Sequence, residues 1–144
     1  GSGEWGVGNN DQERTINMEE KKIESYRDLR VWQAGMDLAV TCYGITKDFP
    51  REELYGMTSQ IRRAATSIPA NIAEGYGREY RKEYIQFLRV AQGSLKELET
   101  HLLLAVRVEL ITQANIEPIL TQCESLGKML RNLIRALQGV GNRE

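Results

Sequence analysis

Two rows of basic side chains are the residues of this sequence best equipped to bind a ligand. The first row steps by four, seven and seven residues, which places its side chains on one face of a helix. It consists of Arg78, Lys82, Arg89 and Lys96, and Arg81 lies beside it near a predicted helix junction. A second, shorter row with helical spacing consists of Lys128, Arg131 and Arg135.

Both rows have two interpretations. Cations at helical spacing can follow the phosphates of a nucleic acid, and each contact releases counterions. Seven bases against three acids between Arg62 and Lys96 favour this interpretation, although the whole chain has a net charge of only -1. In the alternative, the first row is a solvated face with intrahelical pairs such as Glu79 with Lys82. The second row also suits the negative end of a helix dipole.

A stripe of polar residues runs along the predicted second helix, beside an internal proline. Such a stripe either lines a ligand site or bonds a neighbouring helix or subunit and makes the packing specific. We expect a structural role, in which Asn71 satisfies a backbone or cross-helix partner where Pro69 should kink the helix. The stripe and its proline are Gln60, Ser67, Pro69, Asn71 and Glu74.

Catalytic chemistry has few candidates in this chain. His101 is the single histidine, which removes most histidine-based metal sites and triads, and we expect it to pair locally with Glu97. No glycine-rich phosphate loop and no CxxC motif occurs. The sequence therefore predicts a protein that is not an enzyme and has no metal or cofactor.

Composition predicts one soluble, helix-rich domain. The 144 residues are 41% hydrophobic and 27% charged, with three prolines and 7% aromatic residues. No apolar run approaches the roughly 18 residues of a membrane span, and no secretory signal opens the chain. The two cysteines, Cys42 and Cys123, do not form a disulfide framework, so a cytoplasmic location is expected.

Hydrophobic periodicity predicts four long helices between 25 and 138, preceded by a flexible arm and followed by a tail. The arm covers 1–24, where 1–3 have the composition of a cloning scar, and the tail covers 139–144. Short links between the helices indicate an all-α, antiparallel up-and-down four-helix bundle.

The first two helices have separate start and stop signals. Helix 1 should begin near Ser25, which caps it, and end before Pro50. Its two adjacent apolar stripes mean that it either lies deep in the bundle or contacts another subunit. Helix 2 should begin between 51 and 58 and end at Gly75 and Gly77. One stripe of helix 1 is Leu29, Trp32, Met36, Ala39 and Tyr43; the other is Val31, Leu38, Cys42, Ile45 and Phe49.

The last two helices carry apolar residues at an average spacing of 3.5, typical of the seam of a left-handed bundle. Helix 3 is predicted over 78–108, and helix 4 over 116–138 with Asn115 as its N-cap. The seam residues are Tyr84, Leu88, Ala91, Leu95, Leu98, Leu102 and Ala105, then Ile116, Ile119, Cys123, Leu126, Leu130, Leu133 and Leu137.

From Tyr26 to Gln138 the chain resembles the four-helix bundle proteins encoded in intervening sequences of bacterial 23S ribosomal RNA genes. The accessory variability proteins of diversity-generating retroelements belong to the same family. The matching segments are, in order, 26–33 (YRDLRVWQ), 49–50 (FP), 55–65 (YGMTSQIRRAA), 67–75 (SIPANIAEG), 87–88 (FL) and 93–99 (GSLKELE).

The resemblance implies a barrel-like homopentamer. For the retroelement members it also implies binding to nucleic acid and to a partner reverse transcriptase. We therefore expect a non-catalytic oligomeric scaffold that binds RNA or DNA in a sequence-tolerant way, as an accessory to a reverse transcriptase. The alternative is a structural or protein-interaction module with no nucleic-acid role.

Overall fold

The structure is a computed structural model that describes residues 22–143. The arm predicted for 1–24 lies outside the described residues up to position 21. Within the described part of the chain, four α-helices account for almost all regular structure, and two short 3-10 helices precede α1 and α2. The helices are α1 (Arg30–Thr46), α2 (Met57–Tyr76), α3 (Arg81–Arg107) and α4 (Gln113–Arg143), and the 3-10 helices are Tyr26–Asp28 and Arg51–Glu53.

The four helices close into a bundle in which each packs against two others. Helix α1 contacts α2 and α4, and α3 contacts the same two helices from the other side. Because short links join consecutive helices, neighbours in sequence are antiparallel neighbours in space. The all-α four-helix prediction is therefore confirmed. No helix within the described residues is long and apolar enough to cross a membrane.

The core follows the predicted seams of α3 and α4 closely until the last turns of α4. Leu133 and Leu137 are only half-buried, and Ile134 takes the core position after Leu130 with 4% exposure. An α-helix has 3.6 residues per turn, so a pattern read at 3.5 drifts away from the core with length. In its last turns, α4 therefore buries Ile134, the residue that a period of 3.6 places over the core, in place of Leu133.

Helix α1 begins later than predicted. Ser25 does act as an N-cap, but of the 3-10 helix: its Oγ accepts from the backbone N–H of Arg27 (3.2 Å), and Asp28 Oδ2 accepts from the N–H of Ser25 (3.2 Å). The α-helix itself starts at Arg30. It ends at Thr46, and the chain then turns through Phe49, whose N–H donates to the Thr46 carbonyl (3.1 Å).

The two glycines near the end of α2 have different roles. Gly77 is the C-cap, as predicted, whereas Gly75 lies inside the helix and is buried. A Cβ on Gly75 would lie 2.6 Å from the Cβ of Phe87 on α3, closer than real side chains approach. Gly75 therefore permits close packing of α2 against α3 and does not end the helix.

The ends of α3 and α4 also differ from prediction. Helix α3 starts at Arg81, so Arg78 lies in the link before it. Glu109, with a φ of 65°, ends α3 in a left-handed turn in which the N–H of Leu110 donates to the Ala105 carbonyl (2.9 Å). Asn115 is not the N-cap of α4. It lies in the first turn and donates its N–H to Oγ1 of Thr112 (3.2 Å).

The predicted C-terminal tail is helical. Helix α4 continues through Arg143, which includes nearly all of the segment predicted as 139–144. The hydrophobic pattern ends near Leu137, but a helix can extend beyond its last core contact because its hydrogen bonds are local.

Candidate nucleic-acid interface

The two predicted basic rows meet in one groove between α3 and α4. Arg89 and Lys96 line it from α3, and Lys128 and Arg131 line it from α4. The groove has a volume of about 830 Å³. We call this surface, with these four residues as its cationic walls, the basic groove. Neither helix alone presents it, because each contributes half of the charge.

Two carboxylates also line the basic groove. Lys96 Nζ lies 3.1 Å from Glu99 Oε1, and the lysine side chain is 76% exposed. An exposed pair of this kind is worth about 0–1 kcal/mol and is easily exchanged for another anion. Glu124 lines the groove on the α4 side. Among residues 22–143, Arg89, Lys128 and Arg131 form no ion pair, so their charges are available to an anion.

The floor of the basic groove is apolar and contains two glycines. A Cβ on Gly93 would meet no atom within 4 Å, and one on Gly127 would lie 3.6 Å from Leu95 and from Arg131. Cys123 also lines the floor; burial raises the pKa of its thiol to about 12, helped by the nearby Glu99 carboxylate. The floor is thus chemically inert, and the groove offers charge and shape but no nucleophile.

Arg78 does not belong to the basic groove, which corrects the predicted row. It lies in the link between α2 and α3, and its Nη2 bonds Glu74 Oε2 at 2.8 Å. Its guanidinium carbon also lies 4.8 Å from the centre of the Phe87 ring. The spacing of four residues from Arg78 to Lys82 would share a helix face only within a continuous helix, and α3 begins at Arg81.

The remaining predicted cations lie outside the groove itself. Lys82 is exposed at the start of α3, seven residues and therefore about two turns before Arg89. Arg81 is the first residue of that helix and is partly buried. Arg135 is exposed one turn beyond Arg131 on α4. Lys82 and Arg135 therefore continue the two rows of charge beyond the groove, both toward the end of the bundle where α3 begins.

The polar stripe of α2 connects to α3 at one point. Ser67 Oγ lies 2.8 Å from Ser94 Oγ across the two helices. Asn71 Nδ2 donates to the Ser67 carbonyl (2.8 Å) and to Ser67 Oγ (3.0 Å). Gln60 is exposed, and Glu74 binds Arg78. The arrangement agrees with the structural interpretation of the stripe, because its polar groups satisfy one another.

Pro69 lies within α2, and the proline side chain is buried. A Cβ on Gly35 of α1 would lie 3.5 Å from its ring, so α1 and α2 approach closely there. Pro69 thus contributes to packing between these two helices, in keeping with a structural role.

The predicted pair between His101 and Glu97 is not formed. His101 Nε2 is buried and has no hydrogen-bond partner among the described residues.

Tyr76 and Tyr84 cover the α2–α3 junction with their rings edge to face at 5.9 Å, whereas Tyr80 is 62% exposed. Burial, reinforced by Tyr76, raises the pKa of Tyr84 to about 12.

The two apolar stripes of α1 separate in the structure. The stripe that includes Leu38 and Cys42 faces the core, and both of these side chains are fully buried. The other stripe is buried only at Ala39 and is otherwise half-buried or exposed, with Met36 40% and Tyr43 42% exposed. With Val40, and with Pro69, Ala70 and Ala73 of α2, it lines an apolar groove of about 710 Å³. We call this surface the apolar groove.

Sequence reasoning missed that the two basic rows share a groove, and it missed the glycines of the groove floor. The signal was present in the seams, because Arg89 directly follows Leu88 and Lys96 directly follows Leu95. Lys128 lies between two consecutive leucines of the α4 seam. Antiparallel pairing of α3 with α4 places those stretches side by side, but the register of that pairing is a tertiary property.

The fold and site define a four-helix protein with a basic groove on one side and an apolar groove on another. The family profile of the 23S rRNA-intervening sequence protein matches residues 27–132, and the chain belongs to this family. A solved structure from Bacteroides thetaiotaomicron VPI-5482, described as a protein with unknown function from the S23 ribosomal protein family, is 30% identical. The match covers 72% of this chain and 97% of that one, with a TM-score of 0.65. No curated protein matches.

Proposed function

We propose that this protein is a non-catalytic scaffold that binds nucleic acid in the basic groove. The observation that carries the proposal is that Arg89 and Lys96 of α3 face the same groove as Lys128 and Arg131 of α4. A groove with cations on both walls can hold a phosphate chain between them, whereas one row on a convex helix contacts it from one side only.

The chemistry of the groove favours sequence-tolerant binding. Lysine and arginine contacts to phosphates position a nucleic acid without reading its bases. Gln92 is the one amide side chain among the residues that line the groove, so base edges meet few donors and acceptors there, and RNA and DNA are both candidate ligands. Affinity should fall steeply with salt, because each phosphate contact releases counterions.

The same proposal includes assembly into a closed ring of five subunits through the apolar groove. Val40 is 69% exposed at its rim, and the continuous apolar surface around it is of the kind that marks interfaces. A closed ring covers such heterologous patches without leaving free ends. It also repeats the basic groove around the ring, so a protomer with a net charge of -1 can present a concentrated positive surface.

A reverse transcriptase is the proposed protein partner, on the basis of the resemblance to accessory variability proteins. The second candidate function is an interaction module with no nucleic-acid role. The apolar groove favours that candidate, because an exposed apolar surface is of the kind that another protein covers. Such a contact makes no use of the basic groove.

Gel-shift titrations of structured RNA and duplex DNA at low and moderate salt test the nucleic-acid role. The groove variant reverses to Glu the two α3 cations of the groove, Arg89 and Lys96, together with Lys82, which continues their row. It should lower affinity by at least about a hundredfold, since three phosphate contacts become repulsive. The matched control reverses Arg30, Arg51 and Arg107 to Glu, which changes net charge equally at exposed positions outside the groove.

Three outcomes separate the candidates. Loss of the shift in the groove variant, with the control intact, supports the proposal. Equal loss in both variants means that net charge, not the groove, determines binding. No shift for the unaltered protein at micromolar concentration and low salt overturns the nucleic-acid role in favour of the interaction module. Reversal of Lys128, Arg131 and Arg135 then tests the α4 wall separately.

A further inference from the structure

A smaller cleft lies at the start of α2, beside the end of α1, and it is lined by two arginines and no carboxylate. It has a volume of about 350 Å³, within the lower range of small-molecule sites. Arg62, Arg63 and Ser59 line it together with the rings of Tyr43 and Tyr55. We call it the arginine cleft. It shares no residue with the basic groove, and it adjoins the apolar groove at Tyr43 and Thr66, which line both.

The side chain of Arg62 is held in place by α1. Its Nε donates to Oγ1 of Thr46 at 2.8 Å, and its guanidinium carbon lies 4.4 Å from the centre of the Tyr43 ring. The Thr46 hydroxyl donates its own proton to the Cys42 carbonyl at 2.8 Å, so its lone pairs point away from that bond. Thr46 is 2% exposed, which makes this anchor rigid.

These contacts use only one of the five N–H donors of Arg62. The four donors on Nη1 and Nη2 have no partner among the described residues, and neither Arg62 nor Arg63 forms an ion pair there. The nearest acid in sequence, Glu53, is already used: its Oε1 accepts from the backbone N–H of Met57 at 3.1 Å. A pre-oriented, unneutralised guanidinium is a ready bidentate partner for an oxyanion.

We propose that the arginine cleft binds the phosphate monoester of a nucleotide. The Arg62 fork contacts the phosphate, Arg63 adds a second positive charge, and the Ser59 hydroxyl can donate a further hydrogen bond. Tyr55, 93% exposed at the rim, provides a flat ring on which a base can stack. This inference does not depend on the basic groove, because no residue of that groove takes part.

Isothermal titration of the full chain with adenosine 5′-monophosphate, inorganic phosphate and adenosine tests the proposal. The nucleotide should bind most tightly, phosphate more weakly, and adenosine without measurable heat, because the charge provides most of the affinity. A 5′-phosphorylated oligonucleotide and its 5′-hydroxyl counterpart identify the source of the phosphate, either a free nucleotide or a chain end. Only the phosphorylated chain should compete.

Two variants remove the site in different ways. Arg62→Lys keeps the charge but loses the planar fork, and it should weaken nucleotide binding by about tenfold or more. Ser59→Glu places a carboxylate three and four residues before the two arginines, and it should abolish binding without disturbing Arg62 against Tyr43. Arg107→Lys, exposed and outside the cleft, is the matched control and should bind normally.

Tyr55→Ala should weaken the nucleotide about tenfold and leave inorganic phosphate unchanged, if the ring stacks on the base. The titrations are repeated with Lys82, Arg89 and Lys96 reversed to Glu, where nucleotide binding should persist even if the gel shift is lost. Absence of binding at millimolar nucleotide, or unchanged binding in both Arg62→Lys and Ser59→Glu, overturns the proposal. Loss in the groove variant would instead place the phosphate in the basic groove.

Discussion

The apolar groove and the basic groove are built from the same parts and have opposite chemistry. Each lies between two consecutive antiparallel helices, and their volumes are similar, at about 710 and 830 Å³. Lys47 is the one charged residue that lines the first, whereas four cations and two carboxylates line the second. The packing of helices provides the concave shape, and the residues just outside the core seam decide what that shape can bind.

The difference begins in the individual helices. Helix α1 carries a second apolar stripe beside its core stripe, so the face that turns outward is still apolar. Helices α3 and α4 carry one seam each, and the positions flanking it hold lysine and arginine. The long stems of those side chains cover the apolar floor while the charged ends remain in water. The comparison therefore predicts association at one groove and ion binding at the other.

The largest expected effect is on assembly, and it tests whether the apolar groove is an interface. Val40→Glu places a charge at its most exposed apolar position and should convert the proposed oligomer to monomer, measured by light scattering coupled to size exclusion. Val90→Glu is the matched control: Val90 is 42% exposed on α3 and lines neither groove, so the mass should stay the same. An unchanged mass for Val40→Glu would contradict the interface, and a monomeric unaltered protein would contradict the oligomer.

The buried thiols of α1 and α4 predict that the stability of the fold decreases at alkaline pH. Burial raises the pKa of Cys42 and of Cys123 to about 12, from an ordinary value of 9.0. The unfolding free energy therefore has its full value below pH 9 and decreases as the pH rises from 9 toward 12, because only the thiols of the unfolded chain ionise in that range. At one pH unit above 9, each thiol should cost about 1.4 kcal/mol of unfolding free energy.

Urea unfolding between pH 8 and pH 10.5 measures that slope, with Cys42→Ala and Cys123→Ala each expected to remove part of it. If both variants kept the full alkaline slope, the two thiols would not be its source.

A pair of glycines on facing helices tests how tightly each seam is packed. Gly75→Ala should lower the unfolding free energy by about 1–3 kcal/mol, because its Cβ would overlap Phe87 and push α2 from α3. Gly93→Ala, in the basic groove with no atom within 4 Å, should instead raise it by about 0.5–1 kcal/mol through helix propensity. Thermal or urea unfolding decides; equal effects at both sites would mean that the seams are equally loose.

A similarly small effect is expected at the polar link between α2 and α3. Asn71→Ala should lower the unfolding free energy by about 1 kcal/mol, because Ser67 loses a partner at a partly buried position. It should leave the oligomer mass and the gel shift unchanged. An unaltered melting temperature would show that the stripe does not support packing, and a lost gel shift would revive its interpretation as a ligand site.

Much of the fold was predictable from the sequence, and the element ends were the least so. Apolar spacing identified all four helices, because each helix must bury one apolar face, and that face appears as a regular spacing within its own segment of the sequence. Asn115 and Ser25 were assigned as α-helix caps on residue type alone, but Thr112 accepts the bond at α4 and Ser25 caps a 3-10 turn. Caps depend on where the backbone turns, and tertiary packing determines that position.

The composition of each helix face was determined by the sequence itself: the seam of α3, the double stripe of α1, and the two rows of cations. Only the tertiary structure decided which faces meet. It places Arg89 and Lys128 on opposite walls of one groove, and it places Arg78 in a link where that arginine binds Glu74. It also brings Arg62 against Tyr43 and Thr46. Periodicity is a property of one helix, whereas a groove needs the register between two, and that register follows from how the whole core packs.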